Sequence, residues 1–263
     1  GTYDFIKELD NSVKTIESLT TYPSILGGRV KTLHPKVFGG ILGRLQNEKD
    51  VEEMKQYEIP AFDLVIVDLY PFEETVKKTD DPAQIIEKID IGGISLIRAG
   101  AKNFNEVVIV PDSKYYLEFM ELYKNQNGCT SIEDRKRFAK YAFATSSHYD
   151  GMIYDWFAKD SESQDLNIHI DSRSELRYGE NPHQKATFYG KLDEVFEKLH
   201  GKDLSYNNLL DLEAGLNLIR EFDEPTFAIL KHNNPCGIAS RNTIAEAYQA
   251  ALAGDPVSAF GGV

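Results

Sequence analysis

The sequence predicts an α/β protein whose first part contains a parallel β-sheet. Two short apolar runs, Asp63 to Tyr70 and Val107 to Val110, have the composition of strands buried on both faces. A helix-start signal follows each run: Asp81-Pro82 after the first and Asp112 after the second. Buried strands that alternate with helices are typical of a parallel sheet covered by helices.

Further signals extend this alternation along the chain. Tyr3 to Leu9 is predicted to be helical, Gly92-Gly93 precedes a predicted helix from Ile94 to Lys102, and Ser131 with Asp134 forms a capping box for a long helix to about Ala158. Apolar residues at spacings of three and four along that helix, from Phe138 to Trp156, favour a face packed on the sheet. In the second part we predict a helix from Asp211, a buried strand from Thr226 to Leu230, and a helix from Thr243 to Gly254.

A polar stretch divides the sequence. Lys159 to Ser174 is rich in Asp and Ser, and we expect a domain boundary there, between domains at residues 1–165 and 172–263. The first residue is not Met, and the last residues, Ser258 to Val263, form a glycine turn that leads into an expected strand. We therefore expect the sequence to be an excerpt of a longer protein, cut at both ends.

Composition excludes several classes of protein. The net charge of -13 over 263 residues argues against nucleic-acid binding. No apolar run approaches the roughly 18 residues that a membrane span needs. The two cysteines, Cys129 and Cys236, do not form a disulfide framework, which fits a reducing cytoplasm.

One window of this acidic chain contains no acid. Between Glu17 and Glu48 the only charged side chains are cationic, and two glycine pairs lie among them. We call residues 18–47 the basic window; its cations are Arg29, Lys31, Lys36 and Arg44. Cations beside glycines, whose backbone N–H groups a phosphate can approach, predict a site for a small anion. The alternative is a solvated basic loop.

Two further clusters in the first part could carry chemistry. Tyr70 follows a predicted parallel strand, at the edge where α/β proteins bind ligands, although its ring could simply pack on the sheet. Asp90 precedes Gly92-Gly93 at a predicted helix N-terminus, which favours anion binding. Lys102 lies at the other end of that helix, where the helix dipole favours a cation even without a function.

The second part contains two polar clusters. A turn from Leu176 to Gln184 includes Arg177, Tyr178 and His183, and Lys231-His232 follows the predicted strand. A neighbouring Lys would favour the neutral imidazole and so a base, in a stretch that has no acid from Pro225 to Ala245. The alternative is a structural histidine. A zinc deaminase is rejected, because Asn234 and Ala239 stand where its Glu and second Cys are required.

Eight strings in order resemble one known family. They are GRVKTLHPKVFGGIL, DLYPF, IDIGG, RAGAKN, LRYGENPHQ, LSYNN, KHNNPCG and DPVSAFGG. They are similar to bifunctional purine biosynthesis proteins, which join phosphoribosylaminoimidazolecarboxamide (AICAR) formyltransferase to inosine monophosphate (IMP) cyclohydrolase. The resemblance covers essentially the whole chain. It implies a methylglyoxal-synthase-like α/β domain followed by the start of a cytidine-deaminase-like α/β domain.

The resemblance also implies roles for individual residues. Lys102 would be the acid/base of ring closure and His232 the proton acceptor of formyl transfer. The implied catalytic residues are Tyr70, Asp90, Lys102 and Lys31 in the first domain, with Lys231 and His232 in the second. The implied substrate-binding residues are Thr2, Arg29, Thr32, Gly92, Arg177, Tyr178, His183, Asn208, Phe260 and Gly261. We expect Asp90 and Lys102 to act together.

The implied reactions are the last two steps of IMP synthesis. Formyl transfer from 10-formyltetrahydrofolate to AICAR gives formyl-AICAR (FAICAR), which closes to IMP with loss of water and without a metal. The resemblance further implies a homodimer. The family's first strand and most of its transferase are missing from this sequence, which leaves open whether the chain alone turns over. The remaining alternative is a non-catalytic nucleotide-binding module, against which Asp90 and Lys102 argue, because recognition alone does not need them.

Overall fold

The chain divides into two compact units, Gly1–His169 and Ile170–Val263. A computed structural model describes residues 2–10, 12–162 and 165–263. The division lies within the polar stretch from Lys159 to Ser174; two residues of that stretch, Ser163 and Gln164, are outside the described residues. The assignment of residues 1–165 and 172–263 to two separate activities remains a prediction.

The first unit is mostly helical in its described part. Its elements are α1 (Thr2–Leu9), α2 (Ile16–Thr20), α3 (Pro35–Leu42), α4 (Glu48–Gln56), β1 (Leu64–Ile66), α5 (Phe72–Lys78), α6 (Pro82–Ile86), α7 (Gly92–Lys102), β2 (Val108–Val110), α8 (Tyr116–Asn125) and α9 (Ile132–Ala158). A 3-10 turn at Ser113–Tyr115, capped by Asp112, precedes α8, so the predicted helix start there is a 3-10 turn.

The predicted parallel sheet is present. β1 pairs with β2 in parallel, with Leu64 opposite Val108 and Ile66 opposite Val110. β2 is fully buried, as predicted, but Leu64 and Ile66 are exposed. Successive side chains of a strand point to opposite faces, and the helix-covered face of β1 is the one that carries Val65. The prediction that this run is buried on both faces is therefore wrong for β1.

α7 and α9 form the core together with β2. Ile97 and Ala101 of α7 pack against Ile109 and against small residues of α9. The predicted capping box of α9 is confirmed: the Ser131 hydroxyl accepts from the Asp134 N–H, and the Asp134 carboxylate accepts from the Ser131 N–H. The apolar spacing along α9 marks a packed face, as predicted.

The second unit contains two antiparallel strand pairs and two helices. They are β3 (Arg173–Glu175) with β4 (Thr187–Tyr189), α10 (Tyr206–Ile219), β5 (Thr226–Lys231) with β6 (Asn234–Ser240), and α11 (Ile244–Gly254). The helix start predicted at Asp211 is wrong. Ser205 caps α10 and forms a capping box with Asn208, so the helix begins earlier and Asp211 lies within it.

β5 is the strand predicted after Pro225, and it continues into a hairpin that the sequence analysis missed. His232 and Asn233 form the two-residue connection, with φ values of 54° and 62°. Two positive φ values are characteristic of the type I′ turn, whose twist matches that of the flanking strands. The hairpin was not predicted because the usual Asn-Gly turn sequence is absent, and because Pro235 argues against a strand after the turn. In the described parts of the chain, no helix has the length and apolar composition to cross a membrane.

α11 packs closely on β6 at Gly237. A Cβ at this position would overlap the carbonyl oxygen of Ala251, a backbone atom that cannot rotate away. Gly215 of α10 is different, since a Cβ there would lie 3.5 Å from the Leu230 side chain, which is an ordinary contact. The two glycines therefore make a matched pair for substitution.

We predict that Gly237→Ala lowers the free energy of unfolding of the second unit by about 1–3 kcal/mol, because overpacking forces α11 away from β6. Gly215→Ala should instead stabilise it by about 0.5–1 kcal/mol, since alanine favours a helix interior. Chemical denaturation followed by circular dichroism measures both changes. Fluorescence of Trp156, the single tryptophan, reports on the first unit and should be unaffected. Equal stabilities of Gly237→Ala and wild type would contradict the close packing.

Candidate functional site

The cations of the basic window are paired with carboxylates that lie outside it. The pairs are Arg29 with Glu87, Lys31 with Glu17 at 3.2 Å, Lys36 with Glu58 at 3.6 Å, and Arg44 with Asp50 at 2.7 Å. The window is therefore not a free positive surface, and the anion site expected there stays a prediction. The Arg29 and Lys31 pairs are largely exposed, and exposed ion pairs are weak, so an anionic ligand can compete for these two cations.

A pocket of about 280 Å³ opens beside the paired Lys31. Its lining residues are Thr20, Tyr22, Pro23, Ser24, Ile25, Val30, Lys31, Leu33 and His34. The imidazole of His34 caps α3, because its Nδ1 accepts the Lys36 N–H at 3.1 Å, and the Tyr22 ring lies 6.4 Å from it. The pocket thus combines a cation, an aromatic ring and hydroxyl groups, which suits a phosphorylated heterocycle.

Thr32 connects the basic window to the start of α7. A Cβ on Gly92 would lie 2.7 Å from the Thr32 hydroxyl oxygen, so the two segments are close and a larger residue at position 92 would require the Thr32 side chain to move. Gly92 is the first residue of α7, where unpaired backbone N–H groups attract electron-rich ligand atoms. The structure therefore brings together two of the predicted binding residues, Thr32 and Gly92.

Asp90 is held at this same helix end from two sides. Its carboxylate accepts the Gly93 N–H at 2.6 Å, and its own N–H donates to the Tyr149 hydroxyl at 2.8 Å. That hydroxyl donates to the Lys88 carbonyl at 2.7 Å. Tyr149 is 7% exposed, and its burial raises the pKa of the phenol. With a carboxylate already at the end of α7, the site favours a polar or cationic group of a ligand there over a phosphate.

Tyr70 lies beside the segment that leads into α7. The Lys88 ammonium is 5.8 Å from the centre of the Tyr70 ring. The backbone of Lys88 is in turn joined to that of Asp90 through the hydroxyl of Tyr149. Tyr70 is 55% exposed, so its hydroxyl can reach solvent or a ligand, and the alternative that its ring packs on the sheet stays open. An exposed phenol can exchange protons with a ligand.

Lys102 is at the opposite end of α7 from Asp90. Lys102 follows Gly92 by ten positions in the helix, which corresponds to about 15 Å along the axis. Next to Lys102, the Asn103 amide donates to the carbonyls of Ile41 and Gly43 and lines a second cavity of about 400 Å³. Asp90 and Lys102 therefore do not form a contacting pair, and the expectation that they act together in ring closure stays a prediction. Thr2 begins α1 and is exposed, and no described contact brings it to the pocket.

In the second unit, Arg177 and Tyr178 form a compact pair. The Arg177 guanidinium donates to the Tyr178 hydroxyl at 3.2 Å and lies 4.8 Å from the ring centre. Backbone hydrogen bonds join this turn to the entry of α10: Arg177 N–H to the Leu204 carbonyl and Tyr206 N–H to the Tyr178 carbonyl. A cation and a phenol held in this way can bind a phosphate or a carboxamide.

Ser205 is a residue of this cluster that the sequence analysis missed. It is fully buried, its hydroxyl donates to the Asn208 amide oxygen at 2.9 Å, and its hydrogen bond to Tyr178, followed by that of Arg177, lowers the pKa of the Tyr178 phenol. The signal was present, since a serine three residues before an asparagine ahead of apolar residues is an N-terminal helix cap. His183 is exposed, and no described contact joins it to Arg177.

Lys231, Phe260 and Gly261 also come together. The Lys231 ammonium donates to the Phe260 carbonyl at 2.9 Å, and Gly261 has a φ of +76°, which favours glycine. The Phe260 ring is 85% exposed, so it is available to a ligand. His232, the next residue after Lys231, is exposed in the hairpin turn.

A carboxylate reaches this turn from α10. Asp211 accepts the Asn233 N–H at 2.7 Å, although the sequence from Pro225 to Ala245 contains no acid. Asp211 lies three residues after Asn208, so α10 touches both the Arg177 cluster and the His232 turn. Within the described residues there is no group of three or more His, Cys, Asp or Glu side chains placed to hold a metal ion.

Comparisons with known proteins agree over the whole chain. The family model described as AICARFT/IMPCHase bienzyme matches residues 100–263, and that of the MGS-like domain matches residues 1–95. The chain is 57% identical over 263 residues to the bifunctional purine biosynthesis protein PurH of Bacteroides thetaiotaomicron, covering 100% of this chain and 52% of that protein. It is 46% identical over 272 residues to PurH of Microcystis aeruginosa, covering 100% and 53%.

A solved structure is similar as well. The crystal structure of ForH matches with a TM-score of 0.50 and 36% sequence identity, over 60% of this chain and 82% of that one. The chain spans about half the length of the curated relatives it matches. The Arg177-Tyr178 and Lys231-His232 clusters both lie in the segment that the bienzyme model covers. The chain belongs to the AICARFT/IMPCHase bienzyme family.

Proposed function

We propose that the protein performs the last two steps of IMP synthesis. A folate-type donor, 10-formyltetrahydrofolate, gives its formyl group to AICAR, and the resulting FAICAR closes to IMP. The observation that carries the proposal is the arrangement around α7. Lys31 lies at a pocket, the neighbouring Thr32 touches Gly92, and Asp90 is fixed two residues earlier.

Ring closure places clear demands on the first unit. The carboxamide nitrogen of FAICAR attacks the formamide carbon, and the formamide oxygen leaves as water with one proton from each nitrogen. Lys31 would bind the anionic end of the nucleotide, and Thr32 with the Gly92 N–H would orient its polar atoms. Asp90, held at the start of α7, would accept a proton, Tyr70 would donate or accept one, and Lys102 would act as an acid or base of the ring closure.

Formyl transfer would use the second unit. The AICAR amine attacks the formyl carbon, its proton goes to His232, and the folate nitrogen leaves and takes up a proton. Arg177, Tyr178 and Asn208 would bind the nucleotide, with Phe260 and Gly261 at its other side. Lys231 would stabilise the oxygen that becomes negative during the transfer, since its ammonium is held at the Phe260 carbonyl. A homodimer and a cytoplasmic location complete the proposal.

One incubation tests the proposed function. The full-length protein is mixed with AICAR and 10-formyltetrahydrofolate, and nucleotides are separated and identified with time. The proposal predicts transient FAICAR and accumulating IMP. Tight binding of AICAR and IMP without any turnover would contradict it and favour a non-catalytic nucleotide-binding module.

We predict that Lys31→Ala weakens IMP binding roughly tenfold or more at low salt, because a hydrogen bond to a charged group contributes about 1.5–3 kcal/mol. The difference from wild type should shrink as salt screens the interaction. Glu17→Gln is the matched control, since it releases Lys31 from its carboxylate partner and should strengthen binding. Isothermal titration measures both. Equal affinities of Lys31→Ala and wild type at low salt would exclude this role.

We predict that Asp90→Asn and Lys102→Gln each slow ring closure by about 10²–10⁴ if both groups act in proton transfer. The amide oxygen that Asp90→Asn introduces can still accept the Gly93 N–H, so the helix cap is preserved. Because both groups would act on the same substrate in one reaction, their effects should be far from additive, and the double variant should lose much less than the sum of the two losses. The double variant, assayed with supplied FAICAR, measures the coupling. Fully additive losses would show that the two groups act independently.

We predict that His232→Ala abolishes most formyl transfer while AICAR affinity stays within a few-fold, because recognition lies with Arg177, Tyr178 and Asn208. Lys231→Ala should also slow the transfer, since it removes the ammonium held at Phe260. Ring closure of supplied FAICAR serves as the control and should be unaffected by either change. Near-normal transfer by His232→Ala would mean that another group, or the substrate's own carboxamide, accepts the proton.

A further inference from the structure

One peptide group in the β5–β6 turn is fixed at both of its polar atoms. This is the peptide that joins His232 to Asn233. Its carbonyl accepts the Asn234 side-chain amide at 2.8 Å, and its N–H donates to the Asp211 carboxylate at 2.7 Å. Rotation of this peptide would break both hydrogen bonds. Its orientation decides the direction in which the His232 side chain leaves the turn.

The turn needs such support because of its residues. His232 and Asn233 both have left-handed backbone conformations, which non-glycine residues rarely adopt without help from the surrounding structure. The Asn234 contact is local, whereas Asp211 comes from α10, 22 residues earlier in the chain. Of these two contacts, Asp211 is the one that ties the turn to another element.

α10 also holds the other half of the proposed transferase site. Its first turn carries Asn208, which accepts from Ser205, and the Tyr206 N–H donates to the Tyr178 carbonyl. Asn208 and Asp211 are three residues apart and therefore lie on the same side of the helix. One rigid helix thus contacts the nucleotide-binding turn with its first residues and the His232 turn with Asp211.

We propose that Asp211 is a positioning residue for formyl transfer, which holds the His232 turn in register with the Arg177-Tyr178 turn. The proposal rests on the proposed function of the second unit. Asp211 acts through the backbone of Asn233 and not on the reacting atoms. The Asn233 N–H needs an acceptor oxygen at the position of the Asp211 side chain. A neutral amide oxygen supplies such an acceptor as well as a carboxylate oxygen does.

Substitutions at Asp211 separate position from charge. In the full-length protein, Asp211→Ala removes the acceptor, whereas Asp211→Asn keeps an acceptor oxygen and removes the charge. We expect Asp211→Ala to lower kcat for formyl transfer about 10- to 100-fold, since small misplacements of a reacting group have effects of that order. KM for AICAR should stay within a few-fold, and Asp211→Asn should recover most of kcat. Glu213→Ala, at an exposed acid on the same helix, is the matched control and should behave as wild type.

Hydrogen exchange gives a second readout that does not depend on activity. The Asn233 N–H should exchange faster in Asp211→Ala and remain protected in Asp211→Asn. If Asp211→Asn is as slow in transfer as Asp211→Ala, the charge is what matters and the positioning role is wrong. Unchanged kcat in Asp211→Ala would also overturn it. If the wild-type protein transfers no formyl group, the proposed function fails, while the exchange rates still decide whether Asp211 holds the turn.

Discussion

The candidate site of the first unit depends on one buried hydroxyl group. Tyr149 of α9 donates to the Lys88 carbonyl and accepts the Asp90 N–H, which fixes the chain where it enters α7. The tyrosine ring is held in turn by the edges of Phe72 and by the apolar cluster around Ile85. The Asp90 carboxylate accepts the Gly93 N–H, so the hydroxyl of Tyr149 also fixes the first turn of α7. The position of Gly92 beside Thr32 depends on that turn.

The two units place their candidate binding residues in similar ways. In each, a polar turn is held against the first residues of a helix, at α7 in the first unit and at α10 in the second. A helix start provides backbone donors in a fixed direction, and a nearby cation provides attraction for an anionic ligand. In the described residues these cations already have acceptors: Lys31 has Glu17, and Arg177 has the Tyr178 hydroxyl. Ligand binding would therefore exchange partners and not create charge contacts from nothing.

Local signals in the sequence predicted local structure well. The capping box at Ser131, the apolar runs of β1 and β2, and the cap at Thr243 all act within a few residues, so each can be recognised in sequence. The start of α10 was missed because both Asp211 and Ser205 are residues that cap helices. Only the structure shows that the Asp211 carboxylate accepts the Asn233 N–H of the hairpin turn. The separation of Asp90 from Lys102 was within reach of the sequence, since their spacing along a helix fixes a distance.

Long-range partners could not be read from the sequence. Arg29 pairs with Glu87, 58 residues later. The basic window therefore contains no acid in sequence, yet in the structure acids from other segments neutralise its cations. The contact of Thr32 with Gly92 likewise depends on the packing of distant segments. The resemblance named the residues of the proposed sites, but only the fold shows how they are grouped. Near one helix start lie Lys31, Thr32, Gly92 and Asp90, whereas Lys102 lies at the other end of the helix.

The proposed function requires that the basic window and the start of α7 form one purine-nucleotide site. Hydrogen exchange of each residue, with and without saturating IMP, tests this requirement. We expect slower exchange on IMP binding in two segments together, residues 30–34 and 91–94, with little change around residues 44–47 and 103–106. Protection in only one of these two segments, or at the second cavity beside Asn103, would contradict it.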